Sequence, residues 1–187
     1  MKIEGKNIVV RDFEPKDAEN LYRIVREKEI VRFMADWSEN DKPLEDYYGF
    51  IDWLQTQKES TDVYTNKRYA IALPQTDEMI GCVGMGREET LGEVEVAYFM
   101  EEKHQRKGYT QEAVTALVDW CFAVSDIAYL ILTIDCANIP SCRLAEKCGF
   151  SLFEKRTPID HKQPNMESDS YFYYRRYRPQ QKQASEK

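Results

Sequence analysis

Along the chain, apolar and polar positions alternate with a period of two in some stretches and recur every three to four residues in others. "NIVVRDF" (7–13), "RYAIALP" (68–74), "EMIGCVGMGRE" (78–88), "GEVEVAYFMEE" (92–102), the short β-rich run "YLILTIDC" (129–136), "GFSLFEKR" (149–156) and "DSYFYYRRY" (169–177) read as strands, with alternation clearest at Glu93–Val96 and Tyr171–Arg175. A turn around Gln75–Asp77 joins the second and third of them. "PKDAENLYRIVREKEIVRFM" (15–34) predicts a helix that starts at Pro15 and buries Ala18, Leu21, Tyr22 and Val25. "PLEDYYGFIDWLQTQKES" (43–60) predicts a second, with Tyr47, Phe50, Ile51 and Leu54 on one side. In "KHQRKGYTQEAVTALVDWCF" (103–122), continuing to Val124, a third presents Ala113, Ala116, Leu117, Trp120, Cys121 and Val124. "NIPSCRLAEKCGF" (138–150) reads as a short helix capped by Asn138, with Pro140 in its first turn and Gly149 past its end. Helices interspersed among strands define a mixed α/β domain.

The junction entering the third helix raises a chemical question. Leading helix amides lack internal acceptors, and the helix dipole leaves positive charge there. Gly108 lets an anion approach the main chain, and Gln105, Arg106 and Lys107 add donors and charge beside it. A phosphate seat and a plain helix start both fit these letters. In the strand before it, Glu93 and Glu95 share one face, but the alternation stops at Ala97, Tyr98, Phe99 and Met100. A β-bulge and a strand end buried on both sides both explain that loss of phase.

Here the chain resembles the GNAT superfamily of N-acetyltransferases, within it the ribosomal-protein N-terminal (Rim-type) branch. Gln105, Gly108 and Thr110 match the family loop Q/R-x-x-G-x-G/A, Tyr109, Glu112 and Ala113 match the "Y-x-x-E-A" that follows, and "N-x-x-S" and "E-K-C-G-F" come next in order. The similarity runs from "IVVRDFEPKDAENL" to the last aromatic strand. It implies a single domain over 1–178, a mixed, mostly antiparallel twisted sheet of about six to seven strands flanked by helices, with 179–187 as a polar tail. Acetyl-coenzyme A is the implied cofactor. Main-chain groups of Tyr98, Phe99 and Met100 would pair with its pantetheine arm. The loop Gln105, Arg106, Lys107, Gly108, Tyr109, Thr110 would hold the pyrophosphate, and Asn138 and Ser141 would lie near the thiol. Two positions depart from the pattern: Thr110 replaces a small residue, and Arg106 a frequent glycine.

The implied reaction needs a neutral amine. An α-amine with pKa near ~8 is about 10% neutral at pH 7, a lysine-like amine under ~0.1%, so a base is required. Glu95 is the first candidate and Glu93 the second; repulsion between them would raise the pKa of the pair. Two solvated surface carboxylates are the alternative. A strand N–H near Phe99 would polarise the carbonyl. Ala145 stands where many relatives have a tyrosine acid, which leaves Ser141, or water, to protonate the thiolate.

Composition narrows the field. The 187 residues suit one domain, and 42% hydrophobic residues supply its core. No run is apolar enough for a membrane span or a signal peptide, so a cytoplasmic location is expected. Five cysteines without a C-x-x-C pair and only two histidines argue for free thiols and against a metal site. A net charge of -7 opposes a nonspecific grip on nucleic acid, and "YFYYRRYR" reads as an amphipathic strand rather than a base-stacking surface. The acceptor is expected to be a protein N-terminus. A polyamine, an aminoglycoside-type amine and a non-catalytic acyl-CoA sensor are the alternatives, and the chain is expected as a monomer or homodimer. The loop "TPIDHKQPNME" (157–167) is expected to face the substrate. Trp37, Tyr47, Tyr48 and Trp53 are expected to serve ordinary packing.

Overall fold

A computed structural model describes residues 1–34, 42–60, 62–157 and 168–179. The predicted loop and tail therefore fall almost wholly outside the described residues, as does Trp37. Eight strands form one sheet in the order β1-β2-β3-β4-β5-β6-β8-β7. They are β1 (Lys2–Glu4), β2 (Val9–Arg11), β3 (Lys67–Ala72), β4 (Met79–Arg87), β5 (Val94–Met100), β6 (Tyr129–Asp135), β7 (Ser151–Arg156) and β8 (Tyr171–Tyr177). The count exceeds the six to seven expected because Lys2–Glu4 folds back on β2 in a hairpin that the N-terminal letters do not announce. All pairings are antiparallel except β5 with β6.

Helices cover both faces. Against one lie α4 (Tyr109–Val124) and α5 (Ile139–Lys147), which bury Ala113, Leu117, Cys121 and Ala145 against Val83, Met85, Val96, Leu130 and Leu132. On the other lie α1 (Ala18–Ile24), α2 (Lys28–Phe33) and α3 (Leu44–Gln57), which close over Ala70, Cys82 and Phe99 with Leu21, Ile24, Ile30, Tyr47 and Ile51. The stripe of α4 is turned from the expected one. Val114, Val118 and Phe122 are buried, Ala116 and Trp120 sit at the rim, and Val124 is exposed. With apolar residues on both sides of the Ala113–Leu117–Cys121 line, helical period alone does not select the inward side; the sheet does.

The single helix expected over 15–34 is instead a 3-10 turn (Pro15–Asp17) followed by α1 and α2. The break comes at Glu27, whose backbone is extended (ψ 133°). Its carboxylate leaves the helix surface to accept from the Glu102 amide, 2.8 Å away. Among the aromatics, Tyr47 is buried as expected, but Tyr48 and Trp53 are exposed. The five cysteines are free, and four are buried. No helix among the described residues is long and apolar enough to cross a membrane.

Leu117 is fully buried between α4 and the sheet. Leu117→Ala is expected to cost about 3 kcal/mol of unfolding free energy, read as a lower urea midpoint at unchanged slope.

Candidate functional site

β4 and β5 stay in unbroken register from Gly81↔Met100 to Arg87↔Val94, so the lost alternation in "AYFM" is not a β4–β5 bulge. It reflects helices on both faces: Phe99 enters the core under α1 and α3, and Met100 the core under α4. What changes along β5 is its other neighbour. β5 and β6 share one register position, Glu95 with Ile131, and beyond it the parallel strands part. The Glu101 amide donates to the Ile80 carbonyl at 2.9 Å. By the alternation of an antiparallel ladder, Phe99 therefore turns its main-chain groups to β4, whereas Tyr98 and Met100 turn theirs toward the parting. A strand N–H near Phe99 that faces the parting is therefore that of Tyr98 or Met100 and not that of Phe99 itself.

At the fork sits Glu95. Its Oε1 accepts from the Thr133 amide at 3.0 Å and from the Thr133 hydroxyl, so the side chain takes the place that a strand partner would fill. Burial holds its carboxyl above the ordinary 4.5, and the Thr133 bonds oppose that rise without cancelling it. The like charge that contributes is Glu88, not Glu93, which corrects the expected pairwise repulsion. Glu93 is engaged elsewhere. It accepts from the hydroxyls of Tyr129 (2.6 Å) and Tyr173 (2.7 Å), and Arg175 lies 3.4 Å away. These bonds make it an anchor for β6 and β8.

After β5, a 3-10 turn (Glu102–His104) leads into the basic loop. Gln105 is exposed, yet its side-chain amide donates to the Met100 carbonyl at 3.1 Å and ties the loop to the strand end. Arg106 and Lys107 are exposed. Arg106 holds a φ of 61°, a left-handed conformation that favours glycine, which accounts for the frequent glycine at this place in the family pattern. Gly108 has φ 84° and starts α4 without a side-chain cap. A Cβ there would meet nothing within 4 Å, so the space before the helix is open and the demand for glycine is conformational. The leading amides of α4 thus open beside two exposed cations, with Tyr109 and Thr110 half-buried in its first turn. This donor set suits a pyrophosphate.

On the α5 side, Asn138 is the cap: its Oδ1 accepts from the Ser141 amide at 3.2 Å, with Pro140 in the first turn. Its side-chain oxygen is therefore already engaged, leaving the amide nitrogen for other bonds. Ser141 Oγ lies 2.8 Å from the hydroxyl of Tyr98. That contact, and the role of Thr133, were not visible in the sequence, because both depend on how far apart β5 and β6 run. Alternation places Glu95 and Tyr98 on opposite faces of β5, so the carboxylate and the Tyr98–Ser141 pair approach the parting from opposite sides.

Residues 7–151 match the family model described as an acetyltransferase (GNAT) domain. The chain is similar to the uncharacterized N-acetyltransferase YnaD of Bacillus subtilis (strain 168), at 24% identity over 92% of this chain and 95% of that protein. Among solved structures, it superposes on the RimL ribosomal L7/L12 alpha-N-protein acetyltransferase in complex with coenzyme A, with TM-score 0.77 and 16% identity over 95% and 98% of the two chains. It also superposes on the microcin C7 self-immunity acetyltransferase MccE in complex with acetyl-CoA and AMP, with TM-score 0.75 and 18% identity over 92% and 93%.

Because the folded chain binds the Glu95 proton more tightly than the unfolded chain does, ionising it costs stability as pH rises from 4.5 through the raised folded value. Glu95→Gln is therefore expected to melt above the wild type at pH 7, with the difference shrinking toward pH 4.5. Coincident melting curves at pH 7 would contradict this.

Proposed function

The chain belongs to the GNAT acetyltransferases and is an acetyl-CoA-dependent enzyme; on that premise we propose that its acceptor is the α-amino group of a protein or peptide, with Glu95 as the base. The observation that carries this reading is the parting of β5 from β6 directly after Glu95, beside the uncapped start of α4. Acetyl-CoA, when bound, supplies the acetyl group: the amine nitrogen bonds to its carbonyl carbon, and the carbon–sulfur bond breaks with its electron pair leaving on sulfur.

The residues of the chain divide the remaining work. Arg106, Lys107 and the amides from Gly108 onward hold the pyrophosphate. Main-chain groups of Tyr98 and the amide of Met100, turned away from β4, hold the pantetheine arm as an added strand would be held. The Tyr98 or Met100 N–H, rather than that of Phe99, then lies on the side where a carbonyl oxygen is to be polarised. Glu95 takes the amine proton at Oε2, since Oε1 is engaged by Thr133. Its raised pKa brings its basicity toward that of the amine. Ser141 gives its hydroxyl proton to the sulfur and recovers one from solvent, while Glu95 returns its proton to solvent, so protons balance over the cycle.

The resemblance of the fold to RimL, which is named as an alpha-N-protein acetyltransferase, supports an α-amine over a polyamine.

Release of free thiol from acetyl-CoA, followed across N-terminal peptides, polyamines and an aminoglycoside, is expected to be fastest with the peptides; a preference for either small-amine class would overturn the acceptor assignment. Glu95→Gln is expected to lower kcat by about 10²–10³ and to leave acetyl-CoA affinity intact by calorimetry. Joint replacement of Arg106 and Lys107 by Ala is expected to show the converse: affinity for coenzyme A weakens on the order of tenfold, while kcat at saturation holds.

A further inference from the structure

Past the fork, the Tyr98 side chain reaches from β5 across the parting to α5. Its hydroxyl lies 2.8 Å from Ser141 Oγ and 3.4 Å from the Ser141 carbonyl, at the first turn of α5. Its ring packs against the core beneath α4 and α5. The phenol has a single hydrogen, and Oγ at 2.8 Å is a nearer acceptor than the carbonyl at 3.4 Å. When the phenol donates to Oγ, the serine's own hydrogen is released to point elsewhere.

We propose that Tyr98 is a positioning residue for acetyl transfer: its side chain sets the separation of β5 from α5 and turns the Ser141 hydroxyl so that its hydrogen faces the departing sulfur. This rests on the acetyltransferase reading above and adds a side-chain role to a residue so far credited with its main chain alone. It also meets the difficulty left by Ala145, which is fully buried and carries no acidic group. Serine is a weak acid, so its usefulness depends on orientation.

Burial among Cys142, Cys148 and Tyr174 pushes the phenol's ionisation well above the usual tyrosine range, and the Ser141 bond only partly opposes that, so Tyr98 stays protonated as a donor. In the step itself, sulfur gains the Ser141 proton as the carbon–sulfur bond breaks and Ser141 takes a proton from solvent in the same movement, so that no serine alkoxide is left behind and the Tyr98 O–H bond stays intact.

The test uses the full chain and three variants: Tyr98→Phe, Ser141→Ala and the double replacement. Steady-state rates with a peptide acceptor are read beside coenzyme A affinity and melting temperature. Tyr98→Phe keeps the ring and loses the hydroxyl. Its kcat is expected to fall tenfold or more, a part of the ~10²–10⁴ that a positioned proton donor contributes, with the KM for acetyl-CoA unchanged. In the Ser141→Ala background the same change is expected to add nothing, because the hydroxyl it orients is already gone. Losses that multiply in the double variant, or a Tyr98→Phe enzyme at the wild-type rate, would overturn the proposal. Those outcomes leave the acetyltransferase reading standing so long as the wild type still releases thiol. A Ser141→Ala enzyme at full rate removes both Ser141 as donor and Tyr98 as its positioner. If Tyr98→Phe shows no melting transition, Tyr98→Met fills the same space without a hydroxyl and carries the same expectation.

Discussion

The site depends on one place where hydrogen bonding between two strands stops. β5 and β6 meet at Glu95 and Ile131 and then separate, although both continue as strands. A strand with an unsatisfied side inside a sheet is costly unless something occupies it, because main-chain donors and acceptors are obligatory hydrogen-bonding groups. At the vertex the chain resolves this with the Glu95 side chain, which stands in for the missing strand by accepting from Thr133. Further along, the main-chain groups of Tyr98 and the Met100 amide turn toward the parting, while the Met100 carbonyl accepts from Gln105. Structural economy and the proposed function coincide here: the carboxylate that closes the fork is the one proposed as the base.

Around the fork, polar residues hold position more than they perform chemistry. Glu93 ties β6 and β8 through Tyr129, Tyr173 and Arg175. Gln105 ties the basic loop to the end of β5. Glu27 and Arg23 tie the region after α1 to Glu102 and Glu101. These links join the start of α4 to the sheet and to the helices of the opposite face, so the open amides are presented on a fixed frame. Their common logic is that a weakly held phosphate seat would lose affinity to the cost of ordering the loop.

Glu93, just before β5, and Glu95 within it illustrate how environment separates like groups. Two residues apart and on the same face, they invite the reading of an interacting pair. In the fold one is surrounded by phenols and a guanidinium and has an anchoring role, while the other is buried beside a threonine with its proton affinity raised by desolvation. Neither fate is written in the letters around them, since the phenols come from β6 and β8 and the threonine from β6.

Much was legible from local pattern. Strand alternation, the helix starts, the Asn138 cap and the glycine at the mouth of α4 follow from short-range physics: side-chain period, capping and backbone freedom. The order of the loop, "N-x-x-S" and "E-K-C-G-F" was enough to suggest the family. Tertiary structure alone decided the rest. Whether 15–34 is one helix or two depends on Glu27 finding a backbone amide at residue 102. Which side of α4 faces inward depends on the sheet beneath it. That "AYFM" runs beneath helices on both faces and is not a β4–β5 bulge depends on α1, α3 and α4, and that Tyr98 meets Ser141 depends on α5, 43 residues further along the chain. Sequence determines what each segment can satisfy within itself; groups that must be satisfied by distant segments take their roles only when the chain is folded.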